Sequence, residues 1–240
     1  MRSRPSGPQP RLALRLAAVV MLSVASSLSG NPFNGQSAKA HHPPGMFDQV
    51  LAMHHAVVRG DLQAFHSPAA WFADHGSTRS RAGETVVLEE SLNLAAARAA
   101  AATDVSQAAA AVAELVVACG SCHKTLQVTP RLSAIVQPRH TTIVGHMLRH
   151  EQGAEQMLHA LVMPSPSLWL QGTTAFAETP LSAGDFPVDF ERGEKMARVE
   201  ANVHRLAQNA FAAEAASSRA HAYAELLGTC AGCHQRHARP

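Results

Sequence analysis

No stretch of this 240-residue sequence alternates polar and apolar residues long enough for a strand, which excludes a sheet as the organising element. A membrane span is also missing from the region that would hold one. The apolar run Leu16 to Val24 falls far short of the roughly 20 residues that cross a bilayer. Acidic residues are absent from the first forty positions, which carry Arg2, Arg4, Arg11, Arg15 and Lys39. Basic residues, a short apolar run and the small-residue site Ala38-Lys39-Ala40 predict a secretory signal peptide over residues 1–40, and hence an exported, periplasmic-type location. Without that segment 15 basic residues face 18 acidic ones, so the formal charge changes from +2 to −3. A mature acidic chain gives no basis for nucleic-acid binding, and no membrane span is expected in it.

Cysteine is scarce, and its placement is the strongest signal in the chain. All four cysteines lie in Cys119-Gly120-Ser121-Cys122-His123 and Cys230-Ala231-Gly232-Cys233-His234. Cys-x-x-Cys-His is the attachment pattern of haem c. Two thiols add across the two porphyrin vinyl groups, and the adjacent histidine reaches the iron. The pattern predicts two haem c groups held by Cys119, Cys122, Cys230 and Cys233, with His123 and His234 as proximal iron ligands. A disulfide within each pair leaves the repeated histidine without a purpose. Thioredoxin-like chemistry wants a βαβ setting, and a four-cysteine zinc site again leaves both histidines unexplained.

The motifs stand 111 residues apart, and a faint repeat accompanies them. Ala113-Glu114-Leu115 matches Ala224-Glu225-Leu226 at that offset, while Ser67-Pro68 with Trp71 matches Ser165-Pro166 with Trp169 at an offset of 98. Both tryptophans therefore read as first-turn residues of short helices capped by serine, packed in the core or on haem. The second half then carries 13 extra residues between tryptophan and motif, placed in the Pro/Gly-containing stretch Thr179 to Arg192. Three- and four-residue spacing predicts helices over Met46 to Arg59, Glu84 to Ala102, His140 to Met163 and Asp189 to Ala216, and through both motifs, with Thr103-Asp104 as a break and cap. The expected architecture is all-α: two tandem four-helix-bundle modules, at 41–125 and 140–240, joined by a linker at 126–139, each ending its last helix in a haem motif.

A Cys-x-x-Cys-His at the end of the last of four helices resembles the cytochrome c-prime family, in a duplicated di-haem form. That family usually has a basic residue four positions after the histidine, where this chain has Gln127 and Ala238, so no role for such a base is carried over. The resemblance implies haem binding, electron transfer, and binding of small gases such as NO or CO. Pairing through the first two helices is common in that family, and duplication can satisfy it within one chain.

The residues opposite each iron decide which of these functions applies. The first helix of a bundle runs antiparallel to the last, so its early turns should face the haem. Those turns carry His146, Met147 and His150 in the second half, and Met46, Phe47, Met53 and His54 in the first. His54, His146 and His150 are the candidate distal ligands; a gapless match pairs His150 with Ala52, and small shifts pair it with Met53 or His54. A histidine or methionine there saturates the iron and makes a one-electron relay between redox protein partners; an empty side leaves it open to gas or peroxide. Peroxidase-type turnover is disfavoured, because no paired acid/base constellation for O–O cleavage stands out. The expectation is a non-enzymatic di-haem electron carrier, with gas binding or sensing as the alternative. His41, His42 and His237 read as exposed tail residues.

Overall fold

The computed structural model describes residues 45–75, 85–132, 135 and 142–237. The signal-peptide segment, His41, His42, linker positions 133, 134 and 136–139, and Ala238 lie outside these residues, as does the side chain of His237. Among them are eight α-helices and one 3-10 turn, with no strand, so the chain is all-α. The helices are α1 (Met46–Val58), α2 (Leu62–His75), α3 (Thr85–Ala100), α4 (Val105–Thr125), α5 (Ile143–Val162), α6 (Pro166–Thr174), α7 (Phe190–Phe211) and α8 (Ala216–His237).

Local capping explains most of the starts. Asp104 is extended and accepts from the Gln107 N–H at 2.8 Å, setting the first turn of α4 as expected from the sequence. Asp189 does the same for α7, and Ser165 for α6 with Pro166 in the first turn. The stretch Asp189 to Ala216 is not one helix: α7 stops at Phe211, and Ala216 already belongs to α8.

Ser67-Pro68 does not start a helix. Asp61 accepts from the Ala64 N–H at 2.9 Å, so α2 begins a turn and a half earlier and carries Pro68 in its interior. Trp71 is therefore a half-buried residue stacked on His75, whereas Trp169 is fully buried and donates its indole N–H to the Ala210 carbonyl at 2.8 Å. The tryptophan offset of 98 is thus not the structural register. Helix ends Val58 and Val162, and helix starts Leu62 and Pro166, both differ by 104 positions. At that offset Met53 meets Met157, Phe65 meets Trp169 and Phe72 meets Phe176, all buried. From α3 onward the offset is 111: Leu92, Ala95, Ala96 and Ala99 correspond to the buried Val203, Leu206, Ala207 and Ala210. The surplus in the second half is seven residues rather than 13, between α6 and α7, where the 3-10 turn Ala183–Asp185 lies. His150 accordingly pairs with Met46, not with Ala52, Met53 or His54.

Helix neighbours recur in the same way. In each half the first helix packs on the second and fourth, and the third on the second and fourth. The halves meet through α4 on α8, α4 on α5 and α1 on α8, with α1 and α5 only grazing each other. One apolar cluster runs through both halves, so they share a core. The expected pairing through the first two helices is replaced by one dominated by the motif helices. Ser106 near the start of α4 shares a groove with Gly228 and Thr229 near the end of α8, and Ser121 near the end of α4 shares one with Ser217. The motif helices are therefore antiparallel. α4 is the one described helix long and apolar enough to cross a membrane, but 56% of that apolar window is buried within the protein, as in the core helix of a bundle.

Candidate functional site

Antiparallel packing sends the two motifs to opposite ends of the helix pair. Ser121 lies across from Ser217, and Cys230 is thirteen residues further along α8, about 20 Å at 1.5 Å per residue. Four cysteines so divided cannot share one zinc ion, and none is in a disulfide. Burial pushes the Cys119 and Cys230 thiols up to about 12, with the neighbouring cysteine adding to the effect. Cys122 and Cys233 are also raised by burial. Thiol redox catalysts need the opposite shift.

At the α8 end the motif opens onto a cavity of about 350 Å³, within the range of about 300–1,000 Å³ that ligand pockets occupy. Cys230, Cys233 and His234 form one wall. Facing them are Met147 and His150 from the early turns of α5, so the expected antiparallel approach of the first helix is seen here. Met196 and Val203 from α7 and Val58 from α1 make most of the remaining lining apolar. Two thiols, a histidine and an apolar slot fit the covalent and packing demands of haem c.

The α4 motif is packed more tightly. Cys119 and His123 are buried, whereas Cys230 and His234 are only half-buried. His123 Nδ1 lies 2.9 Å from the Val162 carbonyl at the end of α5, so Nδ1 carries the proton and donates it, leaving the lone pair on Nε2. That tautomer and a backbone carbonyl partner are what an iron-ligating imidazole needs. A Cβ on Gly120 would overlap the Leu161 carbonyl oxygen, so the absence of a side chain there lets α5 approach the motif. At α8 the same approach is made from the other side: a Cβ on Gly60, at φ +66°, would lie 2.7 Å from the Ala231 carbonyl oxygen.

The three candidate distal histidines separate. His150 lines the α8 cavity. His146, one turn earlier, lies 3.1 Å by Nδ1 from Glu178 and 2.5 Å by Nε2 from Glu200. His54 is fully buried at mid-length of α8, where Nδ1 shares a 2.7 Å hydrogen bond with the Tyr223 hydroxyl. Burial, reinforced by His55, His159 and Arg59, lowers the His54 pKa to about 3, and burial among His146, His204 and Arg149 does the same for His150. Both imidazoles are neutral at physiological pH.

Glu200 and His204 were not singled out in the sequence, although their i, i+4 spacing on α7 repeats that of His146 and His150 on α5. The four converge: His204 Nε2 is 2.9 Å from Glu200 Oε1, and a donor atom from each residue lies within 4.8 Å of the others. Glu200 also bears electrostatically on both α8 cysteines, as its equivalent Glu89 does on Cys122. Comparison with protein-family models, curated proteins and solved structures finds no match to this chain, so the resemblance to cytochrome c-prime rests on the motif and its place in the helix order.

Proposed function

We propose that the chain is an exported di-haem c-type cytochrome, built of two fused four-helix modules, that carries single electrons between redox protein partners without turning over a substrate. The observation that carries this reading is the convergence of Cys230, Cys233 and His234 on one wall of an apolar cavity, with the same residue types repeated in register on α4. Haem c supplies a one-electron iron couple when bound. The chain's own part is to hold the macrocycle through two thioethers per site, to orient His123 through the Val162 carbonyl, and to exclude water with Val58, Met196 and Val203. Opposite ends of an antiparallel helix pair put the two groups on different faces, which suits receiving an electron at one end and delivering it at the other.

A second reading, binding of a small gas at the α8 haem, is favoured by one observation. His150 stands in the buried group with Glu178 and Glu200, at 3.6 and 4.0 Å, which sets it among carboxylates rather than alone opposite His234. Absorption and EPR spectra of the ferric and ferrous protein, with and without CO, separate the two. Low-spin spectra indifferent to CO support the pure relay; a high-spin component that shifts with CO overturns it in favour of gas binding.

A further inference from the structure

His146, His150, Glu200 and His204 are all 4–6% exposed, so their polar atoms are almost wholly removed from water. Each pair sits four residues apart on one helix face, α5 for the first and α7 for the second, and the faces oppose each other. Glu178, held by Arg149 through bonds of 3.0 and 2.6 Å, brings a second carboxylate against His146 at 3.1 Å and His150 at 3.6 Å. An ordinary buried ion-pair network would leave every member satisfied. This one does not: His150 Nε2 and Glu178 Oε1 are buried without a hydrogen-bond partner, a costly arrangement for a group already packed among imidazoles.

His150 is the loosely held member: its ring nitrogens stand 3.6 Å from Glu178 and 4.0 Å from Glu200, too far for hydrogen bonds, so the imidazole is open to a cation among the four donors. We propose that His146, His150, Glu200 and His204 bind one divalent transition-metal ion of the class that prefers imidazole, Zn2+ or Cu2+, with Glu178 orienting the histidines from behind. Three imidazoles with one carboxylate match the donor preference of these ions, whereas Ca2+ and Mg2+ take sets of oxygen ligands. A carboxylate on the outer nitrogen of a ligating histidine is the usual partner. The site lies on the wall of the α8 cavity that faces Cys230 and His234, since His150 and Glu200 line that cavity. It is confined to the second half, because the positions equivalent to His150, Glu200 and His204 hold Met46, Glu89 and Asn93.

The site does not depend on the haem reading, and its test is separate from haem loading. Untagged full-length protein, stripped with a chelator, is dialysed against Zn2+ and its zinc content is measured by mass spectrometry alongside haem content. Wild type should take up one zinc per chain beyond its iron. His204→Asn, which installs the residue found at the equivalent position of α3, and Glu200→Gln should each weaken uptake by about tenfold or more, with haem content unchanged in His204→Asn, whose side chain is not part of the cavity lining. His221→Asn, at an exposed position on α8, should bind as wild type does. No zinc uptake by wild type, or equal uptake by His204→Asn and Glu200→Gln, overturns the proposal.

Discussion

The two motif ends begin from the same five-residue pattern and finish differently. At α8 the cysteines and His234 open onto an apolar cavity whose far side carries His150 and Glu200, with His204 grouped behind them. At α4 the motif is packed against the end of α5, and the equivalent far-side positions are Met46, Glu89 and Asn93. The Cys-x-x-Cys-His pattern is common to both ends, and the opposite side differs. That is the division expected if the anchor is common chemistry and the distal side sets what each site does.

Removing an anchor is the most severe way to probe this pair. Cys119→Ala with Cys122→Ala, and Cys230→Ala with Cys233→Ala, should each halve covalent haem as measured by pyridine haemochrome. Because α4 and α8 share a core, thermal melts should show each variant losing stability across the whole chain rather than in one separable transition. Next in size is Gly120→Ala. Its methyl overlaps a backbone carbonyl that cannot swing away, so a loss toward the upper end of about 1–3 kcal/mol is expected in denaturant titrations. Gly228→Ala, on α8, meets open space and should gain up to about 1 kcal/mol from helix propensity.

Redox behaviour gives a finer contrast. Methionine on the distal side raises a haem potential relative to histidine. A redox titration should therefore resolve two steps, one of them from an α4 site whose potential Met46 raises. Met46→His should lower that step and leave the other in place; an unchanged titration would remove Met46 from the distal side.

Acid stability supplies a further contrast. His54 is held neutral with a pKa near 3, against 6.5 in the unfolded chain. Facing it are His55 on α1, Arg59 just after it, His159 with Glu155 on α5, and Tyr223 on α8. Between those two values the unfolded chain binds more protons, so the contribution of His54 is complete above pH 6.5 and is lost as pH falls toward 3. His54→Gln, which keeps a partner for the Tyr223 hydroxyl, should flatten the stability slope between pH 4 and 6 by about 1.4 kcal/mol per pH unit.

The all-α class, the Asp104 cap and the motif helices were legible because each depends on local spacing and capping. The repeat was misaligned because Ser-Pro-x-x-Trp looks alike at both places, while Asp61 starts α2 earlier and hands the core position of Trp169 to Phe65. Only burial reveals the 104-residue register that pairs His150 with Met46. Glu200 and His204 carried a readable i, i+4 signal, but nothing local says that α7 faces α5 at that height. Gly60 and Gly120 likewise show their purpose only once a second helix lies against them.

The central claim is covalent haem at both motifs, and intact mass of the protein, produced in a host that attaches haem c and exports it, tests it most directly. The predicted mass is the processed chain plus two haem groups, falling by one haem in either double-cysteine variant. A chain carrying no covalent haem would contradict the account.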